Sequence, residues 1–296
     1  MRLQINIYII LWLLLCMISC VKEEDFYSTE TENIEQVSIE LFTRIRSFDT
    51  PVSRAIALED DVDKAPWILV FTGGDGTAGN AVFAEAAQAN INVGNKSYVL
   101  LRPQSGKSWV LILANPQDKF YVGSMSYDFS VDNFNDLFTN KTLTNVTALL
   151  SAMPMTAGVV VNAPPFVNKM LPMSYLSEAT EGINVNTKIG TSTVPLELTR
   201  AVAKIVVKST VADFTLSGIH SVYNMNKNTV LHNLSGNLET AASMVDYIRN
   251  DANEDFVSAT ANVTDPIYVY EAKSGTGAYM IIRAFYKGLE SYYKIA

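Results

Sequence analysis

The sequence predicts a mainly β protein of the β-sandwich class with short helical insertions. Three observations carry this reading. Apolar runs are short and are bounded by Gly, Pro, Asn, Asp and Ser, the punctuation of strands and turns. Aromatic residues are plentiful, with 14 Tyr and 13 Phe, and aromatic side chains suit a pleated, half-buried surface. The stretch Val194 to Val211 alternates cleanly: Ala201, Ala203, Ile205 and Val207 fall on one face, and Arg200, Val202, Lys204, Val206 and Lys208 on the other. Arg200, Lys204 and Lys208 would also form a basic stripe on a helix. Val202, Ile205, Val206 and Val207 oppose that, because β-branched side chains lose rotamer freedom in helices. Pro195 fits the first residue of a strand.

The chain of 296 residues can form one large domain or two of ordinary size. A hydrophobic content of 48% and a charged content of 18% describe a globular chain. The net charge of −8 and pI near 4.9 argue against nucleic acid as a partner, since phosphates require clustered Lys and Arg. Beyond the N-terminus no stretch is long and apolar enough to span a bilayer.

The N-terminus reads as an address. Arg2 supplies a positive charge, Ile5 to Met17 is almost wholly apolar, and the small Ser19 precedes Cys20. That is the layout of a secretory signal. Met17-Ile18-Ser19-Cys20 looks like a lipobox, with Cys20 as the lipidated first residue of the exported chain; cleavage elsewhere or a short anchor is the alternative. Cys16 would leave with the signal, so no disulfide or cysteine metal site remains. Val21 to Asp25 is an acidic spacer. Farther on, Val37, Ile39 and Leu41 alternate with Ser38, Glu40 and Phe42, predicting one strand that ends near Ile45. Asp49, Thr50, Pro51 and Ser53 form a loop, followed by Arg54 and Ala55. Loops of this kind are where proteolysis concentrates, although Arg54 alone reads equally as a solvated arginine. Arg44 and Arg46 offer further basic sites.

From Lys64 onward the strands come quickly. Trp67 to Phe71 is a continuously apolar, buried type of strand. Tyr98 to Leu101 and Trp109 to Leu113 are two more, with Ser105-Gly106-Lys107 expected as a hairpin turn between them. Short helices are expected at Asp132 to Phe138 and Thr144 to Leu150, with Asp132 and Thr144 as N-caps. Val159 to Val161 is a further apolar run. In the second half, Phe214 to Leu216, Ile219 and Val222 to Asn224 are apolar pieces, Leu238 to Arg249 is partly helical in pattern, and Ile267 to Glu271 alternates. Ala278 to Tyr286 is a long strand, Lys287 to Glu290 a turn, and Ser291 to Ile295 a last strand that ends bluntly, which suggests an incomplete chain.

Catalytic signatures are weak. Gly74-x-Gly76-x-x-Gly79 after a strand fits a dinucleotide pattern literally, and Ala81 to Gln88 could supply the helix whose N-terminus meets phosphate. The run Gly73 to Thr77 also resembles that of NAD kinases and diacylglycerol kinases. A lone pattern of this kind is weak, and Arg102 and Pro103 stand where a ribose-binding acid would end the next strand. A glycine-rich loop is the simpler reading. His220 and His232 match no common zinc spacing. Asp251, Glu254 and Asp255 lack the regular calcium-loop spacing. No enzyme, cofactor or metal is expected.

Cys20, the Arg54-Ala55 start, Leu113-Ala114-Asn115 ending a strand, Leu171-Pro172-Met173-Ser174, the Leu198 to Val207 stretch and the pair Tyr292-Tyr293 occur in an order that resembles the fimbrillin family of Bacteroidetes surface lipoproteins. Within that resemblance, Lys22-Glu23-Glu24-Asp25 looks like a surface-export tag. The resemblance implies two transthyretin-like Greek-key β-sandwiches, so the expected organisation is a signal at 1–19, a lipidated leader at 20–54, one sandwich at 55–193 and a second, truncated one at 194–296. It implies a lipid anchor in the outer membrane at Cys20 and an Arg-specific protease that cleaves between Arg54 and Ala55, with Arg46 as the weaker site. It also implies a groove-filling leader strand bearing Val37, Ile39, Leu41 and Ile45. Removal of that strand would allow head-to-tail assembly with other fimbrial subunits into a surface fimbria that adheres to host or bacterial ligands. The alternatives are a tip or anchor subunit, or a surface glycan-binding lipoprotein with Trp67 or Trp109 as sugar platforms.

Overall fold

The computed structural model of the chain describes residues 36–45, 62, 64–92, 96–155, 171–234, 244–248, 255–271 and 277–296. Cys20, Arg46, Arg54, Ala55 and the run Val159 to Val161 lie outside them. The described residues are mainly β, as the alternation and the short apolar runs require.

The first half contributes β1 (Val37–Ile45), β2 (Trp67–Thr72), β3 (Val82–Gln88), β4 (Asn90–Asn92), β5 (Lys96–Leu101) and β6 (Ser108–Ala114). A small sheet of β7 (Lys119–Val122), β8 (Met125–Asp128) and β9 (Leu150–Ser151) follows, enclosing helices α1 (Val131–Phe138) and α2 (Leu143–Leu149). Then come β10 (Met173–Ala179), β11 (Lys188–Ile189) and β12 (Leu196–Arg200). The large sheet runs β3-β2-β6-β10-β12-β1-β5-β4, with β11 also against β1. It folds over itself. Ile68 and Val70 of β2 and Val110 and Ile112 of β6 pack in one core with Val37, Ile39 and Leu41 of β1 and Val99 and Leu101 of β5.

The opposite faces of β2 and β6 are covered as well. Trp67, Leu69 and Phe71, with Trp109, Leu111 and Leu113, pack against Phe134 and Phe138 of α1 and Leu143 and Val146 of α2. Burial on both sides is why these strands read as unbroken apolar runs. The Phe120 ring stacks on Phe134 with centroids 5.0 Å apart. Phe134 and Phe138 share a helix face because they are four residues apart.

The second half contributes β13 (Val202–Ile205), β14 (Phe214–Asn226), β15 (Met244–Ile248), β16 (Val257–Thr260), β17 (Val263–Thr264), β18 (Ile267–Tyr270), β19 (Tyr279–Tyr286) and β20 (Leu289–Ile295). They form one sheet system in which the long β14 pairs with β19 on one side and with β15 and β16 on the other.

Four expectations are corrected. Val194 to Val211 is not one strand: β12 ends at Arg200 in the first sheet and β13 begins at Val202 in the second. Ala201 steps out of the ladder, its amide donating to the Pro172 carbonyl at 2.9 Å. The alternation changes phase at this break: Leu196 and Leu198 are buried with Thr199 exposed, whereas Lys204, Val206 and Lys208 are the exposed positions afterwards. Ser105 to Lys107 is not a hairpin turn, because β5 pairs with β1 and β4 while β6 pairs with β2 and β10. The helix caps lie two residues earlier, at Ser130 and Thr142, whose hydroxyls accept from the amides of Asn133 and Asn145 at 3.2 and 3.3 Å. Asp132 instead sits in the first turn, where its charge complements the helix dipole. Finally, Met244–Ile248 is a strand on β14, so this part of the stretch Leu238 to Arg249 is not helical, and the rest of that stretch lies outside the described residues.

Candidate assembly site

β1 is the first strand of the described chain, yet it lies in the interior of the first sheet. Six residues pair antiparallel with β5, from Val37 opposite Leu101 to Phe42 opposite Lys96. On its other edge β1 runs parallel to β11, with Leu41 opposite Ile189, and to β12, with Thr43, Arg44 and Ile45 opposite Leu196, Glu197 and Leu198. Without β1, β5 and β12 would each present an unpaired edge of N–H and C=O groups.

Its inward face is mostly apolar because Val37, Ile39 and Leu41 fall on alternate positions. Val37 is 5% exposed, and Ile39 and Leu41 are fully buried. Thr43 is buried beside them. Ile45 pairs through its backbone with Leu198. The outward face is polar and half-exposed. Glu40 accepts from the Tyr98 hydroxyl at 2.9 Å and lies 3.2 Å from the Lys96 ammonium. The Tyr98 hydrogen bond, then Lys96, hold its carboxyl below the ordinary range. Gly190 closes the site: a Cβ there would stand 2.6 Å from the Phe42 carbonyl oxygen, and its φ is +74°. Only glycine lets the chain after β11 come this close to β1.

The glycine run does not lead into a helix. Gly73 to Thr77 leads through one short 3-10 turn, Ala78–Asn80, into β3, so Val82 to Gln88 is a strand and not the helix that the dinucleotide pattern requires; the first turn of α2 packs on the end of this loop, where the Thr144 hydroxyl donates to the Gly79 carbonyl at 3.0 Å. Asp75 is turned inward on its own loop, accepting from the Thr77 amide at 3.1 Å and the Asn80 side chain at 3.0 Å. These bonds, the Thr77 hydroxyl's first, hold its carboxyl low. His232 Nδ1 meets Ser174 Oγ at 2.9 Å in a partly buried setting, and the desolvation there depresses its pKa to about 4. Asp255 is committed to Arg283, whose Nε and Nη2 both reach it at 2.9 Å. Among the described residues no group of three or more His, Cys, Asp or Glu is arranged to hold a metal. Trp67 and Trp109 are 6% and 3% exposed, so neither offers an open face to a sugar.

Sequence reasoning missed a polar link between the two halves. The Tyr270 hydroxyl donates to the Met153 carbonyl at 2.6 Å and accepts from Gln117 Nε2 at 3.1 Å, while Gln117 Oε1 accepts from the Met153 amide at 2.7 Å. The available signal was the unbroken apolar run Ile267-Tyr268-Val269-Tyr270, all of it buried. A tyrosine in a strand buried on both faces needs a hydroxyl partner.

No protein-family model matches the chain, and no curated protein does. Among solved structures, a protein from Parabacteroides distasonis named for cell adhesion shares its fold, with a TM-score of 0.51 at 11% identity over 88% of this chain and 80% of that one. The tip fimbrial protein Mfa3 from Porphyromonas gingivalis, in a C-terminally truncated form, aligns with a TM-score of 0.49 at 18% identity, over 88% and 82%. A fimbrilin, FimA, from Porphyromonas gingivalis W83 aligns with a TM-score of 0.48 at 15% identity, over 88% and 81%. At these identities the likeness is one of fold.

Proposed function

We propose that this chain is a structural subunit of a cell-surface fimbria, exported as a lipoprotein through Cys20 and matured by loss of its first described strand. The observation that carries this reading is the interior position of β1, with Ile39 and Leu41 fully buried between β5 and β12. The link from β1 to the rest of the fold contains Arg46 and Arg54. Cleavage between Arg54 and Ala55 leaves β1 held by its sheet contacts alone. Its departure exposes two strand edges and an apolar groove, which a strand from another subunit fills by β-augmentation. Each subunit then accepts from one neighbour and gives to the next, and such head-to-tail contacts build an open filament rather than a closed ring. While β1 stays in place the groove is filled and premature assembly is blocked. Surface location and adhesion follow from that assembly, and the shared fold with a protein named for cell adhesion supports the reading.

The experiment replaces Arg54 with Ala and treats precursor and variant with an Arg-specific protease. The expected outcome is polymer from the natural chain, seen by electron microscopy, with β1 lost by mass spectrometry, and none from the variant. Undiminished polymer from Arg54→Ala rejects Arg54 and moves the cut to Arg46.

A further inference from the structure

The groove that β1 fills is lined by charge as well as by apolar surface. Groups from the strands on both sides of β1 converge on one carboxylate, that of Glu40. On β5, the Tyr98 hydroxyl donates to Glu40 Oε1 at 2.9 Å, and the Lys96 ammonium lies 3.2 Å from the same oxygen. On the other edge, β11 sets Lys188 opposite Glu40 in the ladder, and its charge adds to the pull that the Tyr98 and Lys96 contacts exert on the carboxylate. The Lys96 ammonium also stands 4.6 Å over the Phe42 ring. Among the described residues, the groups that hold Lys96 and the acceptor of the Tyr98 hydroxyl are therefore all on β1. The geometry points to an acid-reading site at the rim of this groove: the strand that replaces β1 comes from another subunit and carries an outward Asp or Glu between the two inward residues that take the places of Ile39 and Leu41. This inference rests on the reading of β1 as a removable strand. It goes beyond that reading, because burial of an apolar face does not by itself require an acid.

Register is what the acid decides. A slip of one residue would turn Ser38 and Glu40 inward, and the buried face refuses it. A slip of two is not refused in that way, since Val37, Ile39 and Leu41 follow one another at alternate positions. The outward face tells these registers apart. Ser38, Glu40 and Phe42 stand opposite Leu100, Tyr98 and Lys96 of β5. A two-residue slip carries the carboxylate to Leu100, which is apolar and 54% exposed, or past Tyr98 to Lys96. Either slip takes it away from Lys188. The observed register sets it between the two strands and against groups from both.

Charge then selects among strands that are equally apolar. When β1 leaves, Lys96 and Lys188 remain on strands two spacings apart, about 10 Å. An incoming strand with an acid at the Glu40 position restores both opposite-charge pairs and the acceptor for Tyr98. One with a lysine there meets like charge from both sides. The Lys96 and Glu40 side chains are 39% and 32% exposed, so this pair adds little to stability. Its effect is on the choice of partner, where an unfavourable pairing with the wrong strand counts as much as a favourable one with the right strand. In β-augmentation the backbone supplies affinity and the side-chain positions supply specificity; here one of those positions is ionic.

The test is competition for the groove. The full chain is cut with an Arg-specific protease, the protease is inhibited, and fluorescent peptides with the sequence of residues 36–45 are titrated in and read by anisotropy. The natural peptide should enter. Glu40→Lys in the peptide should weaken entry by about tenfold or more, and the gap should narrow in high salt. Leu41→Asp in the peptide spoils the buried face and is the control for the groove itself. These variants leave the chain unaltered, so its folding is not at issue. In a chain carrying Lys96→Glu and Lys188→Glu the preference should invert; the ratio of the two affinities within one chain cancels competition from the resident β1. Lys188→Glu alone, at an exposed position, should narrow the gap even if the paired reversal does not fold. Equal entry of the natural and Glu40→Lys peptides, with the Leu41→Asp peptide excluded, would overturn the acid-reading site and leave the reading of β1 standing. A preference indifferent to the lysine reversals would overturn it too. Failure of the natural peptide to enter, with β1 retained on the cut chain, would overturn the reading of β1 and this inference with it.

Discussion

Burial of His232 makes the fold sensitive to acid. Its ring lies against Ser174 of β10, and desolvation holds its pKa near 4 instead of 6.5. The depressed value means that the folded state favours the neutral ring. The stability this contributes is intact above pH 6.5 and is lost progressively as pH falls towards 4, up to roughly 3 kcal/mol for this one group. Carboxyls such as Glu85, raised by burial, act in the opposite sense, so the comparison must be with a variant. His232→Asn keeps a polar partner for Ser174 and has no titration in this range. Melting temperature against pH between 7 and about 4 should fall less steeply for the variant than for the natural chain. Parallel curves would show that His232 does not titrate with unfolding. At this scale the sequence was silent about pairing. The spacing of His220 and His232 argued against zinc, but nothing local to His232 indicates Ser174, which reaches it only through the fold.

At the scale of elements, legibility follows burial pattern. β2 and β6 were readable because both faces are covered, which makes the run itself apolar. β1 was readable because one face is buried and the other is not, which gives the alternation of Val37, Ile39 and Leu41. β14 was read as three fragments, although it is one strand of 13 residues. Its register shifts between Leu216 and Gly218 and again between Ile219 and Ser221, and each irregularity breaks the period of two. Gly218 belongs to the first of these, since a Cβ there would lie 2.2 Å from the Val257 carbonyl oxygen. The neighbours of β1 were not readable, because alternation fixes a face and not a partner; β12 is parallel to it and far along the chain. Its burial makes a prediction. Leu41→Ala should cost about 2–5 kcal/mol in urea unfolding of the uncleaved chain. An effect below about 1 kcal/mol, the range of a surface change, would mean that β1 contributes little to holding the first sheet together.

At the scale of the whole molecule, the two sheet systems share one apolar core. The cluster that begins at Trp67 and Trp109 continues through Phe120 and Leu150 to Val202, Tyr270, Ile282 and Ala284. The Gln117–Tyr270–Met153 triangle ties β18 of the second system to segments of the first. A linker joining two independent domains would carry few such contacts, so the expected behaviour is a single cooperative transition, not two. Tyr270→Phe tests the link with little change of shape. It deletes one hydroxyl and leaves Gln117 Nε2 and the Met153 carbonyl without that partner, a loss of about 1–3 kcal/mol for buried polar groups. Hydrogen exchange reads where that loss is felt. If the halves unfold together, amides of β6 and of β19 should lose protection by the same amount in Tyr270→Phe, although the two strands belong to different sheets. Loss confined to β18 and β19, with β6 unchanged, would mean that the shared core does not couple the two halves, and that each sheet system opens on its own.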